Sequence, residues 1–233
     1  MKISLVIPAY NEEKNIKNTI CKYTDFFKQH GFDYEIIAVD DGSTDKTRRE
    51  IEKCKDVICI SYPKNQGKGY AVKRGVLRAK GDYVFFTDAD LSYSPDCVLT
   101  AVSCLCTERA NGVIGVRGER RDYPPLRRLA SKIFCRVVKS VLRIDAPDTQ
   151  CGFKGFDKST ARELFAETTL FGFGFDFEVL YLFGKTGKKL TWFPVPFTHR
   201  GESHIRLFSD SIKMLRDIIY LKFGKGGKIA DMR

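Results

Sequence analysis

Two aspartates separated by one residue, Asp88 and Asp90, follow the β-prone stretch Tyr83–Phe86. A continuous apolar run is typical of a strand buried inside a parallel sheet. Open α/β sheets bind ligands just past the carboxyl ends of such strands, where these carboxylates are expected. Two oxygen-rich side chains there suit a hard divalent cation that bridges the phosphates of a nucleotide. Taken alone, the pair is also compatible with a surface turn.

Three more polar clusters accompany the other early strands. They lie at residues 8–12, 40–43 and 65–69. Because parallel strands end at the same edge of a sheet, all four clusters are expected to converge there. Four clusters in register make unrelated surface turns a poor explanation and favour a binding site.

Strand and helix patterns alternate through the first half of the chain. The expected strands cover residues 3–7, 34–39, 57–60, 83–86 and 112–116. The first two helices are expected over residues 12–29, capped by Asn11, and up to about residue 54, capped by Ser43 or Thr44. Two more are expected over residues 67–79 and 95–106. The alternation predicts an α/β fold with a mostly parallel sheet flanked by helices.

The second half opens with a basic amphipathic helix. Apolar residues recur at three- and four-residue spacing from residue 126 to 142. Residues 117–143 contain nine basic and two acidic residues, in a chain with a net charge of +11. The helix either packs on the core with a solvated cationic face or binds an anionic membrane or lipid phosphate. A helix through residues 178–182, a strand at 190–193 and a C-terminal helix at 208–223 follow.

The clusters resemble those of the family 2 glycosyltransferases, which have the GT-A fold. The matching segments are VIPAYNEE from residue 6, VDDGSTDKT from 39, NQGKG from 65 and DAD from 88. DTQCGFK from residue 148 further resembles the polyprenyl- and dolichyl-phosphate hexose synthases, with the glucosyl and mannosyl branches nearest. The resemblance implies a single GT-A domain over residues 1–233. Its nucleotide-sugar-binding half is residues 1–116, its acceptor-binding half is residues 117–223, and residues 224–233 are a basic tail.

The resemblance assigns donor roles residue by residue. The positions expected to hold the nucleotide sugar are Pro8, Ala9, Tyr10, Glu12, Asp40, Lys68, Asp88, Ala89 and Arg206. Asp88 and Asp90 match the DXD pair that binds Mg²⁺ or Mn²⁺ together with the diphosphate. Ser92 stands where the mannosyl branch often has a glutamine that helps to ligate the metal. A water would then replace the amide ligand.

The resemblance also assigns residues to the transfer itself, namely Asp90, Arg117, Arg128 and Asp148. Arg117 and Arg128 are expected at the acceptor phosphate, because a guanidinium can bind two phosphate oxygens at once. Asp148 is expected to orient a substrate or to act as a base of last resort, with a loop N-cap as the alternative.

The family inverts, which implies one in-line attack on a donor whose leaving diphosphate is neutralised by the cation. A lipid phosphate is anionic near pH 7 and needs no general base, unlike a hydroxyl acceptor. The expected reaction is therefore hexose transfer to a dolichyl or undecaprenyl phosphate. The donor stays open between UDP-glucose and GDP-mannose.

Other functions remain as alternatives. A family 2 transferase with a saccharide or lipid-linked glycan acceptor would share the donor motifs. A nucleic-acid-binding protein fits the basic charge, but no basic–aromatic recognition motif is present and the charge lies largely on one amphipathic helix. A nucleotidyltransferase lacks its glycine-rich loop near the first strand.

Location is also predicted. The chain opens with a strand pattern rather than a signal peptide, and no run of ~18 apolar residues occurs. The eight cysteines form no CxxC pair and are expected to be reduced and mostly buried. These features predict a cytoplasmic protein, bound peripherally to the anionic inner face of a membrane, with a membrane-protein partner as one option.

Overall fold

The computed structural model describes residues 1–118, 125–197 and 207–224. The strands in these residues are β1 Lys2–Ala9, β2 Asp33–Asp40, β3 Val57–Ser61, β4 Tyr83–Phe86, β5 Gly112–Arg117, β6 Lys154–Asp157 and β7 Leu190–Val195. The helices are α1 Ile16–Gln29, α2 Thr47–Glu52, α3 Lys68–Arg78, α4 Asp96–Thr107, α5 Pro125–Leu142, α6 Lys158–Glu167, α7 Phe175–Gly184 and α8 Leu207–Phe223.

The described strands form one seven-stranded sheet in the order β3-β2-β1-β4-β6-β5-β7. The β3-β2-β1-β4 half is parallel throughout, and β5 and β7 are parallel to each other. Strand β6 runs antiparallel to both of its neighbours. The predicted α/β fold with a mostly parallel sheet is therefore confirmed.

Strand β6 and helix α6 are absent from the sequence-based prediction. The strand is Lys154-Gly155-Phe156-Asp157, which has charged residues at both ends and a glycine inside. Lys154 is nevertheless fully buried, because its ammonium group pairs with Asp176. A buried ion pair makes a strand look polar in sequence, and the apolar-run criterion therefore misses it.

Two predicted helix starts are wrong. Helix α1 begins at Ile16 rather than at residue 12, and Asn11 does not cap it. Asn11 has a left-handed backbone with φ of 55°, and its side chain accepts a hydrogen bond from the Thr44 backbone N–H at 2.9 Å. Helix α2 begins at Thr47 and has Lys46 as its N-cap. The polar residues that look like caps instead join the two loops to each other.

Two apolar layers cover the sheet. One contains buried residues of α1 and α4, and the other contains buried residues of α3, α6 and α7. The expectation that the cysteines are mostly buried is wrong, since only Cys97 and Cys151 are buried and the rest are half-buried or exposed. The sequence leaves Trp192 on β7 open between packing in the core and packing at a membrane rim, and its exposure excludes the core.

Helices α5 and α8 pack against each other and form a third apolar cluster with β5 and α7. Val138 and Leu142 of α5 meet Met214, Ile218 and Leu221 of α8 in this cluster. The amphipathic helix predicted over residues 126–142 is confirmed by α5. Within the described residues, neither these helices nor the others have the length and apolar character needed to cross a bilayer.

Candidate active site

The β1–α1 and β2–α2 loops are tied together at the carboxyl edge of the sheet. The Asn11 backbone N–H donates to Ser43 Oγ at 3.0 Å, and the Asn11 side chain accepts from Thr44. The Glu12 backbone N–H donates to Thr47 Oγ1 at 2.7 Å. The two loops therefore form one rigid ledge, because each supplies the hydrogen-bond partners of the other.

The first residues predicted to hold the nucleotide sugar lie along this ledge. Pro8 and Ala9 end β1 and are buried, whereas Tyr10 directly after them is exposed. Asp40 is next to Ala9 across the sheet, since the two residues are paired in register. Its buried carboxylate accepts from Ser61 Oγ at 2.9 Å and from the backbone N–H three residues later at 3.1 Å. The structure thus brings these residues together.

Asp41 organises the loop that precedes α3. One carboxylate oxygen accepts from the Tyr62 hydroxyl at 2.7 Å and from the Gln66 backbone N–H at 2.8 Å. The other accepts from the Asn65 amide and the Gly67 backbone N–H, both at 2.9 Å. Burial raises the pKa of Asp41 even though these donors oppose the shift. The carboxylate is saturated, so its role is to hold the loop.

Glycines let this loop approach the segment before α7. Gly67 has φ of +103°, and a Cβ there would lie 2.3 Å from the Phe171 carbonyl oxygen. The Gly69 backbone N–H donates to the same oxygen at 2.7 Å. Only glycine permits both the backbone angle and the approach. The contact fixes the start of α3 and therefore the position of Lys68.

Lys68 reaches from α3 to the aspartate pair that follows β4. Its Nζ lies 2.5 Å from Asp88 Oδ1. Burial lowers the pKa of Lys68, but the carboxylates around it, Asp88 foremost, outweigh burial and raise it. Asp90 accepts from the Ser92 backbone N–H at 3.0 Å and from Ser92 Oγ at 2.7 Å. Ser92 therefore orients Asp90.

The aspartate pair has the composition that a hard cation requires. Both carboxylates are partly exposed, while Ala89 between them is buried and its carbonyl accepts from Thr19 Oγ1 at 2.6 Å. No group of three or more Asp, Glu, His or Cys side chains that could hold a metal occurs in the described part of the chain. Two carboxylates fit Mg²⁺, which is usually bound through one or two of them together with water and substrate phosphates.

Arg117 and Asp148 form a mostly buried bidentate ion pair. Arg117 Nε lies 2.7 Å from Asp148 Oδ2, and Nη2 lies 2.8 Å from Oδ1. Burial raises the pKa of Asp148, but Arg117 outweighs burial and brings it down to about 2. Asp148 raises the pKa of Arg117 above its ordinary value, although burial opposes this. Asp148 is therefore ionised and is a weak proton acceptor.

One five-residue segment joins this ion pair to the aspartate pair. It runs from Asp148 to Gly152, whose backbone N–H donates to the Tyr93 hydroxyl at 2.9 Å. A Cβ on Gly152 would lie 2.3 Å from Asp88 Oδ2, so the carboxylate rests against the glycine backbone. The segment therefore connects the Arg117–Asp148 ion pair directly to Asp88 of the aspartate pair.

Residues 4–165 match the sequence pattern of the family described as Glycosyl transferase family 2. This range contains all the site contacts described above except those made by the segment before α7. The chain belongs to this family. It is a glycosyltransferase.

Relatives with curated descriptions resemble this glycosyltransferase along most of its length. A dolichyl-phosphate beta-glucosyltransferase of Dictyostelium discoideum is 30% identical over 95% of this chain and 74% of its own. A dolichyl-phosphate beta-glucosyltransferase of Trichomonas vaginalis is 31% identical over 99% of this chain and 77% of its own.

A solved structure shares the fold. The glucosyl-3-phosphoglycerate synthase of Mycobacterium tuberculosis, in complex with Mn²⁺, UDP and phosphoglyceric acid, superimposes with a TM-score of 0.76. It is 22% identical, and the match covers 95% of this chain and 78% of that one. The predicted GT-A architecture is confirmed by this likeness.

The glycosyltransferase has a second buried ion pair that sequence reasoning missed. Lys154 Nζ contacts Asp176 Oδ1, donates to the Cys151 carbonyl at 2.5 Å and lies 5.5 Å from the centre of the Phe86 ring. The pair joins β6, where Lys154 is paired in register with Phe86 of β4, to the first turn of α7. A lysine inside the otherwise apolar run GFKGF was the available signal.

The sequence alone is compatible with Glu178 as a buried structural acid or as a residue that contacts the acceptor. It is buried, and its carboxylate accepts from Thr169 Oγ1 at 2.7 Å and from the Leu170 backbone N–H at 2.8 Å. These bonds hold the segment that contacts the Gly67–Gly69 loop. The structural interpretation is therefore supported.

Two predicted site residues are not placed by the structure. Arg206 lies outside the described residues, as do His199, Arg200 and Ser203, which resemble the same segment over the donor and acceptor phosphates. Arg128 lies in the first turns of α5, but its side chain is outside the described part. Their assignments to donor and acceptor phosphates stay predictions.

Proposed function

We propose that this glycosyltransferase transfers a hexose, with inversion, from a nucleotide sugar to a polyprenyl phosphate such as dolichyl phosphate. The names of the two relatives, which match nearly the whole chain, favour glucose as the sugar and therefore UDP-glucose over GDP-mannose as the donor. A divalent cation, Mg²⁺ or Mn²⁺, is part of the proposal. The solved relative with the same fold holds Mn²⁺ and UDP.

The state of Asp148 is the observation that carries the proposal. A hydroxyl acceptor must lose a proton during transfer and needs a general base with a suitable pKa. Asp148, the predicted candidate, is bound by Arg117 with its pKa at about 2. A phosphate acceptor is already ionised near pH 7, so a site with an arginine and without an effective base at this position suits it.

Donor binding is assigned to the ledge and to the aspartate pair. The base and ribose would lie against Tyr10, Glu12 and Asp40. Asp88 and Asp90 would hold the divalent cation, which when bound supplies Lewis-acid neutralisation of the leaving diphosphate. Lys68 would add a point charge for the phosphates and keeps Asp88 oriented.

Acceptor binding is assigned to Arg117, with Arg128 as a second cation. A guanidinium carries five N–H donors, and the bidentate pair with Asp148 uses two of them. Asp148 therefore fixes the plane of the guanidinium. It thereby also fixes the direction of the N–H donors that remain for the acceptor phosphate. Asp148 is a positioning residue in this scheme.

Turnover with defined substrates tests the proposal. The purified chain would be supplied with Mn²⁺ and either UDP-glucose or GDP-mannose, with and without a short-chain, water-soluble polyprenyl phosphate. We expect release of UDP that depends on the lipid phosphate and is lost in Asp90→Asn. Lipid-independent transfer to a saccharide would replace the proposal with the alternative of a glycan acceptor.

A further inference from the structure

Exposed apolar side chains are concentrated on two helices. Twelve large apolar residues are exposed among those whose side chains the structure describes, and seven of them lie on α5 and α8. The seven are Leu129, Ile133, Val137, Ile212, Leu215, Ile219 and Phe223. We refer to these residues as the α5–α8 face. Isolated exposed apolar residues are ordinary, but a concentration of this kind marks an interaction surface.

The spacing of these residues makes two stripes. On α5 they recur every four residues, and on α8 the intervals are three, four and four. Residues at these intervals lie on one side of a helix. Each helix already buries a separate apolar side, through Val138 on α5 and Ile218 on α8, in the cluster that the helices share. The core therefore does not account for the exposed stripes.

Positive charge accompanies the stripes. Helix α5 contains five basic residues and no acidic residue. Lys132 and Arg136 alternate with its apolar residues, and on α8 Lys213 and Arg216 do the same. All four are exposed. An apolar stripe bordered by lysine and arginine is the pattern of helices that lie in the surface of an anionic membrane.

The same two helices contact the acceptor side of the site. Gln150, two residues after Asp148, directs its amide nitrogen at Met214 Sδ of α8 at 3.2 Å. Cys135 Sγ of α5 lies 4.0 Å from Thr149 Oγ1. The segment that carries Asp148 thus packs on both helices. Any surface to which α5 and α8 bind would therefore lie next to the position proposed for the acceptor phosphate.

We propose that the α5–α8 face inserts its apolar side chains into the surface of an anionic lipid bilayer. The inference rests on the proposed function, because an acceptor with a polyprenyl chain resides in a bilayer. Insertion would place Arg117 near the level of the lipid phosphates, so that the acceptor reaches the site without leaving the membrane.

A second copy of the chain fits this face less well. In a symmetric dimer the same patch is present on both sides of the interface. The basic residues of both copies would then be brought into one interface, and α5 has no acidic residue to compensate. Like charges brought together in an interface oppose association.

Vesicle sedimentation of the full chain tests the inference. Vesicles of phosphatidylcholine alone and with added phosphatidylglycerol would be used at low and high salt. We expect binding to the anionic vesicles that weakens at high salt, and a partition coefficient at least about tenfold lower for the Ile133→Gln/Ile219→Gln double variant. Equal vesicle binding by the wild type and the double variant would overturn the inference.

Matched single variants exclude a general effect of polarity. Leu215 on the face is 45% exposed, and Leu77 on α3 is 42% exposed. Leu215→Gln should reduce vesicle binding and Leu77→Gln should not. Equal losses in both would contradict the inference. A wild-type dimer in solution that Leu215→Gln converts to a monomer, with vesicle binding unchanged, would assign the face to a second copy.

Turnover with the water-soluble polyprenyl phosphate separates the two proposals. This acceptor needs no bilayer, so the double variant should retain wild-type turnover with it while losing activity on acceptor embedded in anionic vesicles. Vesicle binding without turnover on any acceptor would refute the proposed function but not the assignment of the α5–α8 face to a membrane. Turnover on both acceptors, unchanged in the double variant, would refute the membrane surface alone.

Discussion

The β2–α2 and β4–α4 corners both place two aspartates at the carboxyl edge of the sheet, but the two pairs are bound differently. Asp40 and Asp41 are buried and accept hydrogen bonds from neighbouring loops. Asp88 and Asp90 are partly exposed, and their described partners are Lys68 and Ser92. A saturated carboxylate builds structure, whereas one with exposed oxygens can bind a ligand.

The comparison shows why residue type alone does not identify a site. Both corners read as acidic turns in the sequence, and the resemblance assigns roles in both. The distribution of donors separates them, since four hydrogen-bond donors converge on Asp41. Substitutions of Asp41 and of Asp90 should therefore affect different properties, namely stability for Asp41 and turnover for Asp90.

Asp90→Asn should give the largest effect. The substitution removes charge from the proposed cation site, and turnover should fall on the order of 10³-fold. The midpoint of thermal unfolding should change little, since Asp90 is partly exposed and bonded mainly within its own turn. Asp96→Asn, at an exposed aspartate in the first turn of α4, is the control and should keep wild-type turnover. Retention of more than about a tenth of the turnover would contradict the assignment.

Asp41→Ala should act on stability instead. Loss of the carboxylate leaves the part-buried donors of Gln66, Gly67 and Tyr62 without their acceptor. The free energy of unfolding, measured with urea, should fall by about 3 kcal/mol. Asp33→Ala, at an exposed aspartate of β2, should change it by less than about 0.5 kcal/mol. If the two variants are equally stable, the distinction between the corners fails.

Asp148 predicts a loss of stability in acid. Its pKa in the folded protein is about 2 against an ordinary value of 3.8, so the stabilisation is complete above about pH 4 and disappears as the pH falls towards 2. The contribution is about 2 kcal/mol. Above about pH 4, Asp148→Asn should be less stable than the wild type, because Arg117 is left without its partner.

Other carboxylates titrate in the same pH range. The contribution of Asp148 is therefore identified by comparing how the stability of the wild type and of Asp148→Asn declines with pH. Urea unfolding at intervals between pH 5 and pH 2 should show a steeper decline for wild type than for Asp148→Asn. Parallel declines would mean that the Arg117–Asp148 pair is not the origin of the acid sensitivity.

Gly152→Ala should have the smallest effect of the four. The added Cβ would lie 2.3 Å from Asp88 Oδ2 and must displace that carboxylate. We expect the Mn²⁺ concentration for half-maximal turnover to rise about tenfold. Gly184→Ala, where a Cβ meets nothing within 4 Å, is the matched control. An unchanged metal requirement in Gly152→Ala would show that Asp88 can move without loss.

The donor edge of the fold was predictable because its signals are local. Each parallel strand is a short apolar run followed at once by polar residues, as at Phe86 and Asp88, and the topology of a parallel sheet brings such ends together. The donor residues proposed between Pro8 and Asp90 rest on these signals and on the family motifs.

The features that the sequence patterns do not predict depend on contacts between segments that are distant in the sequence. Strand β6 is recognisable only when Asp176 is known to neutralise Lys154. The caps of α1 and α2 were misjudged because Asn11 and Ser43 bond to each other's loops rather than to the helices. The side of α5 that is buried depends on where α8 packs, and no local pattern specifies that position.

The position of β6 also has a consequence for synthesis on the ribosome. Strand β4 is complete at residue 86, yet its outer neighbour begins only at residue 154. A nascent chain that has already paired β1, β2, β3 and β4 therefore exposes the edge of β4 until some seventy further residues have been translated. An unpaired edge of this kind recruits other strands. Chaperone dependence during translation should consequently be greatest before residue 157 emerges from the exit tunnel.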